Sequence, residues 1–376
     1  MGDCLMSTLN VATVNATTTL NTSSINGGQL AGFRNKIING DMVIDQRNAG
    51  AAVTASGAYP VDRFRTNNGT DGAFSAQQDS SAPAGFVQSL KFTTTIADGT
   101  LTGTQNLCCL HYVEGNNITD LAWGTASAKS VTLSFWVRSS LTGTFGGAFS
   151  NSDASRNYPF TYTISTADTW EYKTVTVAGD TSGTWLTTND VGIRLSFGLG
   201  AGPDRSNTAG VWTASNSLSA TGAVSLIGTL NATWYITGVQ LELGSTATTF
   251  EQRLYGTELA LCQRYYEEDR GAQDNNLYAF CNSQCISTTQ TQGGVVKFKV
   301  PKRVAPTMTS VGAANTWGVD NSSGPQIAAT AISLSRPSKN GFELDVTVAS
   351  GLVAGNGTTI RANSSAAPAW IASAEL

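Results

Sequence analysis

Histidine occurs once in 376 residues, at His111. A metal centre built from several histidines is therefore excluded within one chain. Charge is also scarce, at 13% of residues, and the formal net charge is -4. Nothing in that balance attracts a phosphate backbone, so nucleic acid is not an expected partner. No apolar run is long enough to span a bilayer, and membrane insertion is not expected. No N-terminal apolar stretch reads as a secretory signal, so synthesis in a reducing cytoplasm is the expectation.

Cysteine is too sparse for a disulfide scaffold in a chain of this length. The six are Cys4, Cys108, Cys109, Cys262, Cys281 and Cys285. Cys108-Cys109-Leu110-His111 and the Cys281/Cys285 pair fall short of four zinc ligands at a recognisable spacing. Neighbouring residues of a strand point to opposite faces, so Cys108 and Cys109 are expected as separate buried side chains.

What is abundant is Gly, Ser, Thr, Asn and Ala, together with 40% hydrophobic residues. Low charge with many short apolar runs suits an all-β protein. Residues 1–33 stand apart. Apolar-Asn pairs recur at Leu9-Asn10, Val14-Asn15, Leu20-Asn21 and Ile25-Asn26. Such a segment cannot bury its own apolar side chains, so it reads as an attachment and oligomerisation arm. Residues 34–255 then alternate as sandwich strands. Val131, Leu133, Phe135 and Val137 share one face of a strand, while Trp136 falls on the opposite, usually polar face. Leu259, Cys262 and Tyr266 share a helical face, which predicts a short linker helix over 256–270 with Thr257 as its cap. Residues 271–376 return to alternation, as in Phe342, Leu344, Val346 and Val348, and predict a second β-sandwich.

No nucleophile elbow, phosphate-binding loop or metalloprotease motif is present. His111 sits in a strand-like run and is expected to be structural. Asp41, Asp45 and Asp62 cluster near the start of the first module, and paired carboxylates are what a glycosidase needs. Turn and surface carboxylates are the commoner case, and the chain is read as non-catalytic.

Several anchors carry a family resemblance: Ile38-Asn-Gly-Asp-Met42, Tyr59-Pro-Val-Asp-Arg-Phe64, Ser134-Phe-Trp-Val-Arg138, Val239-Gln-Leu-Glu242 and Cys262-Gln-Arg-Tyr-Tyr266. Together they resemble the jelly-roll module of bacteriophage tail fibres and receptor-binding proteins, which is similar to carbohydrate-binding modules. The resemblance covers about residues 34–268, and Val295 to Thr307 looks like the fibre segment that follows. It implies a virion fibre made in the host bacterial cytoplasm. Such a fibre is a homotrimer docked to tail or baseplate proteins through residues 1–33, and it adheres to host cell-surface polysaccharide. The alternatives are a structural neck, head or connector fibre, and a glycan-degrading depolymerase.

Related carbohydrate-binding jelly rolls often hold structural calcium. The matching positions here are Asn39, Asp41 and Glu242, whose oxygens suit that ion. Sugar recognition uses aromatic platforms with amide and carboxylate neighbours. Trp123, Trp136, Tyr158, Trp170, Trp185 and Trp212 are candidates, with Trp185 and Trp212 preferred for their Gly/Thr/Asn-rich surroundings. Trp317 and Trp370 are the candidates of the C-terminal region.

Overall fold

The computed structural model describes residues 33–270, 278–320, 326–363 and 368–376. All but the last residue of the expected arm lies outside them. Twelve strands build the first module. They are β1 (Phe64–Asn68), β2 (Ala73–Asp79), β3 (Ser89–Ile96), β4 (Asn106–Glu114), β5 (Val131–Ser139), β6 (Gly143–Ser150), β7 (Asn157–Ile164), β8 (Glu171–Val177), β9 (Val191–Ala201), the two-residue β10 (Ser206–Asn207) and β11 (Ser219–Ala220), and β12 (Thr233–Leu243). Sheet A has the order β1-β4-β9-β6-β7 and sheet B the order β2-β3-β12-β5-β8, each wholly antiparallel. Successive strands cross repeatedly between the two sheets, which makes the module the expected jelly-roll sandwich.

Period-two alternation aims one face of each strand inward. Val131, Leu133, Phe135 and Val137 are all fully buried, as their spacing predicts. They meet Phe92, Phe197 and Trp234 in one core. Phe135 packs edge-on against Tyr162 at 5.0 Å and Phe197 at 5.2 Å. Each fully buried ring of this size stabilises the fold by about 1.5–3 kcal/mol. Cys109 joins this core while Cys108 packs on the outer side with Leu110, Tyr112 and Leu218. The two thiols face opposite ways, as strand geometry requires.

One α-helix occurs among the described residues, α1 (Tyr255–Gln263). It is shorter than the linker helix expected over 256–270. Its N-cap is Leu254, without a side-chain cap bond, and Thr257 lies inside the helix. After it come β13 (Tyr266–Arg270), β14 (Ala279–Cys285), β15 (Thr291–Gln292), β16 (Val295–Lys297), β17 (Thr307–Val311), β18 (Trp317–Val319), β19 (Ile327–Ser335), β20 (Gly341–Val348), β21 (Gly357–Ala362) and β22 (Ala369–Ser373). The helical pattern stops because Tyr266–Arg270 finds a partner strand: Tyr266 pairs with Ser373 and Arg270 with Ala369. Tertiary pairing overrides local propensity there.

The second module has a three-stranded sheet, β13-β22-β17, and a seven-stranded sheet, β15-β14-β21-β18-β19-β20-β16. Trp317, Trp370, Phe298 and Phe342 fill its core.

The two modules meet at a buried charged junction built from the motif residues. Arg47 pairs with Asp62 at 2.8 Å and with Glu375 at 2.6 Å, and its guanidinium lies 3.7 Å from the Tyr266 ring centre. Arg63, 1% exposed, pairs with the same Glu375, donates to the Tyr112 carbonyl at 2.7 Å and stacks on Tyr265. Arg264 and the Tyr265 hydroxyl both donate to Glu114. Lys302 and Glu267 form an ion pair with both side chains fully buried. Such charges are tolerated inside only when paired and hydrogen-bonded.

Candidate functional site

Parts of both sheets are covered by other segments of the chain. Over sheet A lies the segment around β10 and β11: Ser196 Oγ donates to the Leu218 carbonyl at 2.8 Å, and a Cβ on Gly146 or Gly198 would strike Ser219 at 2.5 Å. One half of sheet B is covered too. Thr132 Oγ1 donates to Gly244, Thr176 Oγ1 to Ser245, and Thr248 donates to Glu242 through both its amide and its hydroxyl.

The other half of sheet B is the more open, and aromatic rings stand on it: Tyr172 exposed, Trp136 and Trp170 half-buried, and Tyr235 buried beneath them. Register places Trp136 of β5 beside Tyr172 of β8 and Thr237 of β12, while the adjacent row aligns Gln77, Lys91, Tyr235 and Arg138 across β2, β3, β12 and β5. Trp136 and Tyr172 lie 5.4 Å apart, and Tyr172 is 43% exposed. Trp170 sits 6.1 Å from Tyr235. The Tyr235 ring also carries the Arg138 guanidinium at 5.0 Å and the Lys91 ammonium at 5.3 Å. Burial works against the charge on Lys91, but the Tyr235 hydroxyl and Asp79 outweigh it and hold its pKa above the ordinary lysine value. Asp79 and Asp168 each stand 3.5 Å from one of these cations, so the face is nearly charge-neutral.

A bulge in β12 shapes one wall. Register shifts between Thr237 and Gln240, and Gly238 has φ +62°. A Cβ there would meet Phe86 at 2.7 Å and Trp136 at 3.2 Å. Phe86 in turn packs edge-on with Phe250 at 5.1 Å. From β2 to β8 the face is about 19 Å wide, taking the usual strand spacing. Its rings, amide, carboxylates and cations can stack on and hydrogen-bond a flat polyhydroxyl ligand.

The preferred tryptophans from the sequence lie elsewhere. Trp185 and Trp212 are brought together, 5.5 Å apart, but Trp123 packs against both. Trp185 is 7% exposed and donates Nε1–H to Ser182, so its ring serves packing rather than recognition. Trp212, half-buried, closes the cluster over Tyr158 and donates to the Ala178 carbonyl. Trp317 and Trp370 are buried in the second core and present no free face, which removes Trp317 as a ligand platform. Trp136 was legible as a ring on the polar side of a strand. Its alignment with Tyr172 is a cross-strand property that no linear pattern contains.

The calcium set does not fit its ion. The Asn39 amide donates to the Ile44 and Asp62 carbonyls, and its oxygen accepts from the Ile44 amide. Both Glu242 oxygens accept from Thr248. Only Asp41 keeps a buried oxygen without a partner, and its carboxyl stands near Glu258 and Arg253. Among the described residues no group of three or more His, Cys, Asp or Glu gathers as a metal site. The Asn-Gly turn instead fastens the start of the module to β12: Asn35 Nδ2 and Gly40 both meet Val239, whose amide donates to the Gly40 carbonyl at 2.8 Å.

The carboxylates weighed for catalysis have local duties. Asp45 accepts from the amides of Asn48 and Gly50 in a turn, and Asp62 pairs with Arg47 and Gln46. His111 is fully buried and donates Nε2–H to the Ile38 carbonyl at 3.2 Å. Burial, reinforced by Arg63, holds its pKa well below the ordinary value, so it stays neutral. No helix among the described residues is long and apolar enough to cross a membrane.

No family model matches the sequence, and no curated protein matches it. Solved structures similar to the chain include a CBM4 structure, 19% identical, covering 55% of this chain and 99% of its own, at a TM-score of 0.27. Another is the family 11 carbohydrate-binding module of the Clostridium thermocellum cellulase Lic26A-Cel5E, 13% identical over 54% of this chain and 100% of its own, with TM-score 0.27. The enzymatically active domain of tailspike protein 4 of bacteriophage CBA120 is 10% identical over 56% of this chain, with TM-score 0.28; the match spans 21% of that chain.

Proposed function

We propose that this chain is a non-catalytic adhesin of a bacteriophage tail fibre, and that the open half of sheet B is its platform for host-surface glycan. The observation that carries the reading is the Trp136–Tyr172 pair on this sheet face, with Trp170 beside the buried Tyr235 and with Gln77, Asp79, Lys91 and Arg138 around them. The phage setting is supported by the fibre-like motifs, and residues 1–33 supply the docking and trimerisation arm. Several weak sites on a trimer gain avidity through effective concentration. A second reading, a purely structural fibre, is favoured by one observation: most of the charged motif residues, among them Arg63 and Asp62, are consumed in a buried junction.

Adsorption of the purified chain to host cells and to extracted envelope polysaccharide tests the first reading. Trp136→Ala and Tyr172→Ala should each weaken binding about five- to fiftyfold, the range of one lost stacking contact, with an unchanged melting profile. Sedimentation with and without residues 1–33 reads the oligomer in the same preparation. A wild-type chain that binds no envelope fraction supports the structural fibre instead.

A further inference from the structure

The C-terminal module carries a groove of its own. Of its cations, Lys302 pairs with Glu267, Arg303 with Asp190 and Arg361 with Asp320. Lys297 and Arg336 stand at the sheet end where β16 is the edge strand beside β20. A groove of about 380 Å³ opens there, lined by Val295, Lys297, Arg336, Asn340 and Glu343 among others.

Register builds it. Val295 pairs with Glu343, Lys297 with Gly341, and Glu343 with Ser335, the residue before Arg336. Arg336 has φ +50° and is 68% exposed. That left-handed conformation is uncommon for arginine. The turn is held by Ser338, whose amide and hydroxyl both donate to the Gly341 carbonyl. Arg336 meets Glu343 through Nη1 alone, at 2.9 Å and 2.7 Å. Nη2 and Nε of the same guanidinium remain for a further acceptor, and Lys297 makes no ion pair among the described residues. An edge lysine also guards against strand pairing, but that role accounts for neither Arg336 nor the groove.

We propose that this groove binds an acidic saccharide, taking its carboxylate between Lys297 and Arg336. Lys297 and the free edge of Arg336 are the cations left to face a ligand carboxylate, while Glu343 and Asp345 are the carboxylates within electrostatic reach of that guanidinium. The Glu343 contact shows that the guanidinium accepts carboxylate geometry. Asn340 offers an amide to hydroxyls, and exposed Val295 supplies an apolar wall. The site is independent of the aromatic face on sheet B.

Calorimetric titration of the full chain with tetragalacturonate, and with maltotetraose as the neutral control, tests it. The acidic oligomer should bind and the neutral one should not bind here. Affinity should fall as sodium chloride rises from 50 to 300 mM, because exposed charges are screened. Lys297→Ala and Arg336→Ala should each weaken tetragalacturonate about tenfold while leaving adsorption through sheet B intact. Glu343→Gln should strengthen it by freeing the guanidinium, a gain that misfolding cannot produce. No binding of tetragalacturonate to the wild type, or no loss of its affinity in either cation variant, would overturn the assignment without touching the aromatic-face reading.

Discussion

Asp41 shows how a single position departs from its sequence reading. Its neighbours in the turn, Asn39 and Gly40, are consumed by backbone contacts, and the expected ion has no cage. Burial, with Glu258 nearby, pushes the Asp41 carboxyl from 3.8 up to about 6. Below pH 4 the group is protonated in both folded and unfolded chains. Between about pH 4 and 6 the unfolded chain releases its proton first, so stability is lost as pH rises through that window. Asp41→Asn should flatten this part of the pH profile and raise the midpoint at pH 7 by about 2–4 °C. Thermal melts at half-unit pH steps check it, and an unaltered slope would show that Asp41 ionises normally. The Asn-Gly-Asp triplet was legible as a turn. That the turn clamps β12 through hydrogen bonds was not, because β12 lies two hundred residues away.

At the scale of elements, β12 organises the candidate site. Its bulge at Gly238 leaves room for Phe86 beside Trp136, while Thr237 next to it is buried and donates to the Asp41 carbonyl. Gly238→Ala would put a side chain at φ +62° and drive it into the Phe86 ring. The expected cost is about 1–3 kcal/mol. The midpoint should drop and the quenching of Trp136 fluorescence by glycan should weaken. A variant with wild-type melting and binding would contradict the bulge account. Strand alternation was readable along 131–137 because burial has period two. The helix was readable only in its first turns, since Tyr266–Arg270 changes state by pairing with β22.

The molecule as a whole is joined by charge as much as by apolar packing. Glu375 holds Arg47 and Arg63 together, while Arg303 donates to the Ala374 and Glu375 carbonyls. Through Glu375 the residues just after β22 are tied to the segment just before β1, and Arg303 also reaches the sandwich by donating to the Asn189 carbonyl at 2.8 Å. Glu375→Ala would leave two guanidinium groups buried without their shared partner. Removing one member of a buried ion pair typically costs about 3–5 kcal/mol. Differential scanning calorimetry should show a lowered, broadened or split transition, as the modules begin to melt separately. A single unshifted peak would show that apolar contacts alone couple them.

The sequence by itself determined the all-β class, the inward faces of β5 and β20, the structural role of His111 and the opposed faces of Cys108 and Cys109. Each follows from a local period or from a composition that leaves one chemistry available. Only the tertiary structure decided which rings stay free. Trp185 and Trp317 were candidates alongside Trp136, yet Trp185 is enclosed by Trp123 and Trp212 and Trp317 by Phe280 of β14. Exposure is a sum over neighbours supplied by cross-strand register and by the segments laid over each sheet. That sum is fixed when β5, β8 and β12 align, and no stretch of chain contains it alone.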